Sequence, residues 1–154
     1  MRDIREIAPT MENAQCPLEG VATAAQPSGE HLGNMAEAGY RAVLDLRTPE
    51  EPRGLDESEA VRDAGMEYVN IPVSPDTLDD ETFGRFRELM NDPGRRPILV
   101  HCSSANRVGA LLMPYLTLDE GRSTEEAARI ARQIGLRSDE LEQKARQYAR
   151  SNGG

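Results

Sequence analysis

The chain has 154 residues, with 18 Lys and Arg against 27 Asp and Glu, a formal charge of -9 at pH 7. That length holds one domain, and an acidic balance without a lysine-rich or arginine-rich run argues against a nucleic-acid partner. Hydrophobic residues make up 38% and aromatics 4%, with no Trp, so the core must come from aliphatic residues and Met.

The first 17 residues have no clear periodicity and read as an N-terminal arm or irregular strand on the edge of a single domain spanning 18–150. Cys16, between Gln15 and Pro17, reads as an incidental thiol. Ser28 can cap a short helix over 28–38, stopped by Gly39, with His31, Leu32 and Met35 at helical spacing. Residues 41–47, Arg-Ala-Val-Leu-Asp-Leu-Arg, read as a strand ending in charge. Asp56 and Glu59 form a capping pair for a helix that stops before Gly65. Residues 68–72 read as a second buried strand, and a Pro, Ser, Thr and Asp-rich loop over 73–80 leads into a helix over 81–91.

Residues 97–101 form a third strand, followed by an apolar helix over about 108–120 that Pro114 should bend. Ser123 with Glu126 caps a helix ending at Gly135, Ser138 opens the last one, and residues 151–154 should fray. Alternating helices and apolar strands predict an α/β fold with a mostly parallel central sheet flanked by helices. No apolar run reaches the roughly 20 residues that span a bilayer, and the start is charged, unlike a signal peptide, so the expectation is a cytoplasmic protein with no membrane partner.

The chemistry concentrates in His101-Cys102-Ser103-Ser104-Ala105-Asn106-Arg107, between a buried strand and a buried helix. Open α/β sheets place their ligand crevice at the carboxyl ends of such strands. The next helix points unpaired N–H groups and partial positive charge at the same spot. The backbone of 103–107 can therefore wrap an oxyanion, with Arg107 as a two-pronged donor, and those features favour Cys102 as a thiolate nucleophile. Small Ser103, Ser104 and Ala105 allow close approach, and Asn106 tolerates a left-handed turn. The bland reading, a small buried Cys102 and a surface Arg107, does not account for the ordered set.

The run from His101-Cys102 to Arg107 and Gly109 resembles the phosphate-binding signature of the protein tyrosine and dual-specificity phosphatase superfamily. More closely, with Ala25-Gln26-Pro27, the strand over 43–47 and the segment over 68–73, residues 18–136 are similar to a bacterial phosphatase-like family also found beside β-lactamase-fold hydrolases (DUF442). The resemblance implies phosphate monoester hydrolysis on a phosphorylated small molecule or phosphoprotein, without metal or other cofactor. Cys102 would form a phosphocysteine, residues 103–107 would hold the phosphoryl oxygens, and His101 would orient the loop and tune the thiolate. A general acid is needed for the leaving oxygen. By the pattern of dual-specificity relatives Asp76 fits best, with Asp79 and Asp80 as alternatives for which helix capping is the competing role. Asp45 and Arg47 end the first strand at the same edge, where an ion pair that locks the loop is the simpler reading.

Three departures bear on turnover. The loop between Cys102 and Arg107 is one residue shorter than in most members, its usual glycine is Ala105, and the hydroxyl residue expected after the arginine is Val108. The short loop also resembles rhodanese-type sulfurtransferases, in which Cys102 would carry a persulfide, and Asp45-Leu46-Arg47-Thr48-Pro49-Glu50-Glu51 is reminiscent of them. His101 and the acidic loop over 76–80 speak against that alternative. A catalytically idle phospho-ligand binder is a third reading, which Val108 sustains. His31 has no acidic or thiol neighbour at ligand spacing, so no metal site is expected. Nothing in the sequence speaks to substrate identity or oligomeric state, and Tyr40, Tyr68 and Tyr115 are the available aromatic walls.

Overall fold

A computed structural model of the chain describes residues 4–48, 57–74, 76, 78–103 and 105–152. Among the described residues thirteen elements follow one another: α1 (Ile4–Ile7), β1 (Gln15–Leu18), β2 (Val21–Ala24), α2 (Gly29–Glu37), β3 (Ala42–Asp45), α3 (Glu57–Asp63), β4 (Glu67–Asn70), α4 (Asp80–Met90), a 3-10 turn (Pro93–Arg95), β5 (Ile98–His101), α5 (Asn106–Leu118), α6 (Thr124–Ile134) and α7 (Asp139–Asn152). The strands form one sheet in the order β1-β2-β5-β3-β4. Only β1 runs antiparallel, against β2; β2, β3, β4 and β5 pair in parallel. The α/β architecture with a mostly parallel, helix-flanked sheet is therefore the one the alternation of elements implies.

Strand residues alternate between two cores, because successive side chains leave opposite faces of a sheet. On one face Ala42, Leu44, Ile98 and Val100 pack with α4 to α7. On the other, Val43 and Leu99 pack with α1, α2 and α3. All four residues of β2, β3 and β5 are buried, as expected for strands covered on both sides. The segment read as a second buried strand is instead the sheet's edge, β4, which is only half-buried. Its single strand neighbour among the described residues is β3.

One strand escaped the sequence reading. Val21-Ala22-Thr23-Ala24 is too short and too alanine-rich to show strand character, yet it is buried as β2 beside β5. Residues 4–17, expected as an arm or an irregular edge strand, include the short helix α1 and most of β1, which is an irregular edge strand, with Ile4, Ile7 and Met11 in the core. Cys16 lies in β1, where its Sγ accepts the Ile4 amide at 3.4 Å. Ser28 caps α2 as the spacing predicts, and His31 completes the box through its Nδ1, which accepts the Ser28 amide at 3.0 Å. Ser123 likewise caps α6. The proposed cap Asp56 lies outside the described residues; the helix it would open is described from Glu57.

The helix after β5 starts earlier than expected, at Asn106, and continues through Pro114 to Leu118. α7 extends to Asn152, taking in two of the residues expected to fray. α5 is the central helix of its layer and is buried from Val108 to Leu116. At Gly109 an added Cβ would come within 2.7 Å of the Ala131 carbonyl and 2.9 Å of Leu136 Cβ, so a glycine is what lets α5 lie directly on α6. Among the described residues no helix is long and apolar enough to cross a membrane.

Candidate active site

β5 delivers Cys102 to the carboxyl end of the sheet, and α5 begins four residues later. Between them the chain turns sharply at Ala105, whose φ of 72° lies in the left-handed region. That conformation costs an alanine roughly 1 kcal/mol, and it turns the Ala105 amide onto Cys102, whose Sγ accepts it at 3.0 Å. The residue expected to take the left-handed turn, Asn106, does not take it. Asn106 is the first residue of α5, and its Oδ1 accepts the amides of Arg137 at 2.8 Å and Ser138 at 3.3 Å. It clamps the α6–α7 loop to the corner of the cradle. Gly135 in that loop leaves so little space that an added Cβ would sit 3.0 Å from Ala105 Cβ.

Cys102 is fully buried, Ser103 is exposed and Arg107 is half-buried; Ser104 lies outside the described residues. The Arg107 guanidinium donates through Nη1 to the Val73 carbonyl and through Nη2 to Ser103 Oγ, each at 3.0 Å. It thereby ties the cradle loop to the loop after β4. That second loop and the start of α4 carry the three candidate acids. Asp79 is the N-cap of α4 and accepts from Thr82 N at 2.9 Å and Thr82 Oγ1 at 2.8 Å, which holds its carboxyl below the usual range. Asp80 is the first residue of that helix. Asp76 is exposed, three residues beyond the carbonyl that Arg107 holds.

Behind the cysteine, on the opposite face of the sheet, lies a buried polar cluster. Asp45 and His101 are register partners on β3 and β5. Arg47 donates from Nε to Asp45 Oδ1 at 3.0 Å and from Nη2 to Glu57 Oε1 at 2.8 Å. Glu57 Oε2 lies 2.6 Å from His101 Nε2, and the Tyr68 hydroxyl donates to Asp45 Oδ2 at 2.7 Å. Asp45, Arg47 and His101 are 0% exposed and Glu57 1%. Burial pushes the Asp45 carboxyl up, but the Arg47 hydrogen bond, the charge of His101 and the Tyr68 hydroxyl outweigh it and hold the group at about 2. Burial likewise opposes the Arg47 charge, and Asp45 and Glu57 overcome it, so the guanidinium is raised. Asp45, Glu57 and His101 bring one ligand atom each within 4.8 Å of one another, a donor set that divalent cations accept. The cation bonded to both carboxylates is Arg47.

The Asp45–Arg47 ion pair is the one the sequence suggests. Glu57 is the residue sequence reasoning missed. It stands among Glu50, Glu51, Asp56 and Glu59 with nothing in spacing or neighbours to single it out. The tyrosines lie elsewhere: Tyr40 packs in the core beside α1, α2 and α3, Tyr68 belongs to the buried cluster, and Tyr115 donates to Glu120 near the far end of α5. Arg95 and Arg96 tie down the opposite end of the sheet, through Glu67 and the Met90 carbonyl.

A buried strand that hands Cys102 to a tight loop, with Arg107 in the first turn of the central helix, belongs to a cysteine-phosphatase-like fold. The solved structures this chain is similar to have that class of fold. A putative phosphatase (DUF442) from Shewanella putrefaciens CN-32 matches with a TM-score of 0.82 and 21% identity over 97% of this chain and 99% of that one. The core catalytic domain of the PP-IP phosphatase SIW14 from S. cerevisiae, in complex with citrate, matches with a TM-score of 0.76 and 18% identity over 90% and 86%. Residues 10–150 match the family described as DSP-PTPase phosphatase fused to NAD+ kinase, and the chain belongs to that family. It is also 32% identical over 94 residues to a β-lactamase hydrolase-like protein of Xylella fastidiosa, 58% of this chain but 21% of the relative. The chain thus spans about a fifth of the curated relative's length.

Proposed function

We propose that the domain hydrolyses phosphate monoesters with Cys102 as nucleophile. The observation that carries the reading is the 3.0 Å donation of the Ala105 amide to Cys102 Sγ, in a loop bridged by Arg107. An amide aimed at sulfur favours the anion over the thiol, and a loop wound this tightly between a strand and a helix start supports an oxyanion with main-chain donors. The Cys102 thiolate attacks phosphorus, the S–P bond forms and the P–O bond to the leaving group breaks. Asp76 gives its proton to the departing oxygen. Water then attacks the phosphocysteine, returns a proton to Asp76 and frees Cys102 and inorganic phosphate. Arg107 exchanges its bonds to Val73 and Ser103 for two equatorial phosphoryl oxygens, where its planar fork fits.

Asp76 is favoured over its neighbours by elimination. Asp79 is engaged by both donors of Thr82, and Asp80 belongs to the first turn of α4, where negative charge offsets the helix dipole. The substrate belongs to the phosphorylated class, and the yeast structural relative, a PP-IP phosphatase, lies in that class.

The test measures hydrolysis of an aryl phosphate and sulfur transfer from thiosulfate to cyanide, for the wild type and for Cys102→Ser. Hydrolysis by the wild type alone, without sulfur transfer by either protein, is the expected result. Sulfur transfer by the wild type without hydrolysis would replace the reading with the persulfide one. Phosphate binding with neither activity would replace it with the idle binder.

A further inference from the structure

The loop between α6 and α7 borders the cradle and brings an arginine with it. The Arg137 amide donates to Asn106 Oδ1 at 2.8 Å, and Asn106 stands between Ala105 and Arg107 at the amino end of α5. Two residues earlier, Gly135 lies so close to the turn that a Cβ there would come within 3.0 Å of Ala105 Cβ and 3.1 Å of its carbonyl carbon. The Arg137 side chain folds back over that peptide, where its Nε donates to the Gly135 carbonyl at 3.4 Å. The guanidinium is thereby held at the rim of the cradle. It is exposed, and among the described residues that long bond is the only one it makes. Asp139 and Glu140, the acids at the start of α7, are exposed and form no ion pair with it. Arg132 and Arg146, on the flanking helices, differ in that Glu142 occupies both.

We propose that Arg137 is a specificity-determining residue: with the scissile phosphate in the cradle, it binds a second oxyanion carried on the leaving group. The substrate class is then a phosphate monoester with a further carboxylate or phosphoryl group. The inference rests on the phosphatase reading for the placement of the phosphate against the backbone of 103–107. A planar guanidinium fits either second anion with two parallel bonds, and a 3.4 Å bond to Gly135 is weak enough to be given up for it. A chain of net charge -9 repels a multiply charged ester, so a cation at the rim is where such a substrate gains its hold. Because the second anion lies away from the reacting bond, its contact is the same before and during the reaction and acts on KM rather than kcat. A cation beyond the last turn of α6 also meets the negative end of that helix, but that role by itself leaves substrate choice untouched.

The test compares para-(carboxymethyl)phenyl phosphate with para-(carbamoylmethyl)phenyl phosphate, two esters of similar leaving group that differ in one remote charge. In the wild type kcat/KM should favour the carboxylate ester about fivefold, through KM, the size of a well-formed exposed ion pair. The ratio should fall to near one in Arg137→Gln and below one in Arg137→Glu. Since each ratio is taken within one protein, a loss of stability or of folded fraction cancels from it. A wild-type ratio of one, or a ratio in Arg137→Gln equal to that of the wild type, overturns the proposal. A phosphonomethyl group in place of the carboxymethyl distinguishes the two kinds of second anion, because the ester with the larger Arg137-dependent ratio carries the preferred one. If the wild type hydrolyses neither ester, the phosphatase reading fails, and isothermal titration calorimetry of the same esters with Cys102→Ser decides. A fivefold difference in Kd that disappears when Arg137→Gln is added upholds the second-anion contact. Equal affinities, or no binding of either ester, overturn it.

Discussion

At Arg107 two nitrogens of one guanidinium bridge Val73 and Ser103, a geometry that a single ammonium cannot reproduce. Arg107→Lys should therefore lower kcat/KM for an aryl phosphate by roughly 10²-fold or more while leaving the Tm close to that of the wild type. An equal rate for the two proteins would remove Arg107 from the reaction. Asp76→Asn should lose rate chiefly for poor leaving groups, by about 10²-fold, because an activated aryl leaving group needs no proton. Asp79→Asn should keep the rate, since its work is to cap α4. If the leaving-group dependence follows Asp79 or Asp80 instead, the acid is misassigned. Val108 is fully buried and puts no hydroxyl at the position after the arginine to assist breakdown of the proposed phosphocysteine. Rapid-mixing kinetics should then show a burst of aryl alcohol equal to the enzyme, followed by a slower steady state. A linear time course from the first turnover would show that breakdown is not limiting.

At the scale of elements, the cradle is held from outside by the contact of α5 with α6. Gly109 has no room for a methyl group against Ala131 and Leu136, and the strain of an overpacked contact is typically about 1–3 kcal/mol. Gly109→Ala should cost stability of that order. Because the α6–α7 loop is tied to Asn106, the same substitution should raise KM for phosphate esters. Denaturant titration and steady-state kinetics on one preparation check both, and an unchanged Cm would show that the helices separate without penalty. The alanine-for-glycine exchange at 105 is explained at this scale as well: α5 and Gly135 enclose the turn tightly enough to hold an alanine at φ 72°.

For the whole molecule, the buried cluster links stability to acidity. Asp45 is held at about 2 in the folded protein against 3.8 for a free side chain, so its carboxylate stabilises the fold above pH 3.8 and that contribution disappears as pH falls towards 2. The difference amounts to between about 2 and 3 kcal/mol. Chemical denaturation at pH 6, 4 and 3 should show the loss, and Asp45→Asn should flatten it. Parallel slopes for the two proteins would assign the acid sensitivity to other carboxylates.

The local signals in the sequence were enough for the α/β class, for most helices and their caps at Ser28 and Ser123, and for the run from His101 to Arg107, because capping, periodicity and a strand–loop–helix junction each depend on residues close in the chain. The sheet order, the edge position of β4 and the burial of β2 were decided only by packing, since a four-residue strand carries too little pattern to show which neighbour covers it. Asn106 took the clamp role and Ala105 the left-handed turn because the α6–α7 loop, some thirty residues away, presents two amides to one and a close-packed glycine to the other. Glu57 joins the buried cluster for the same kind of reason: one carboxylate in an acidic stretch becomes distinctive only when folding buries it between Arg47 and His101, away from solvating water.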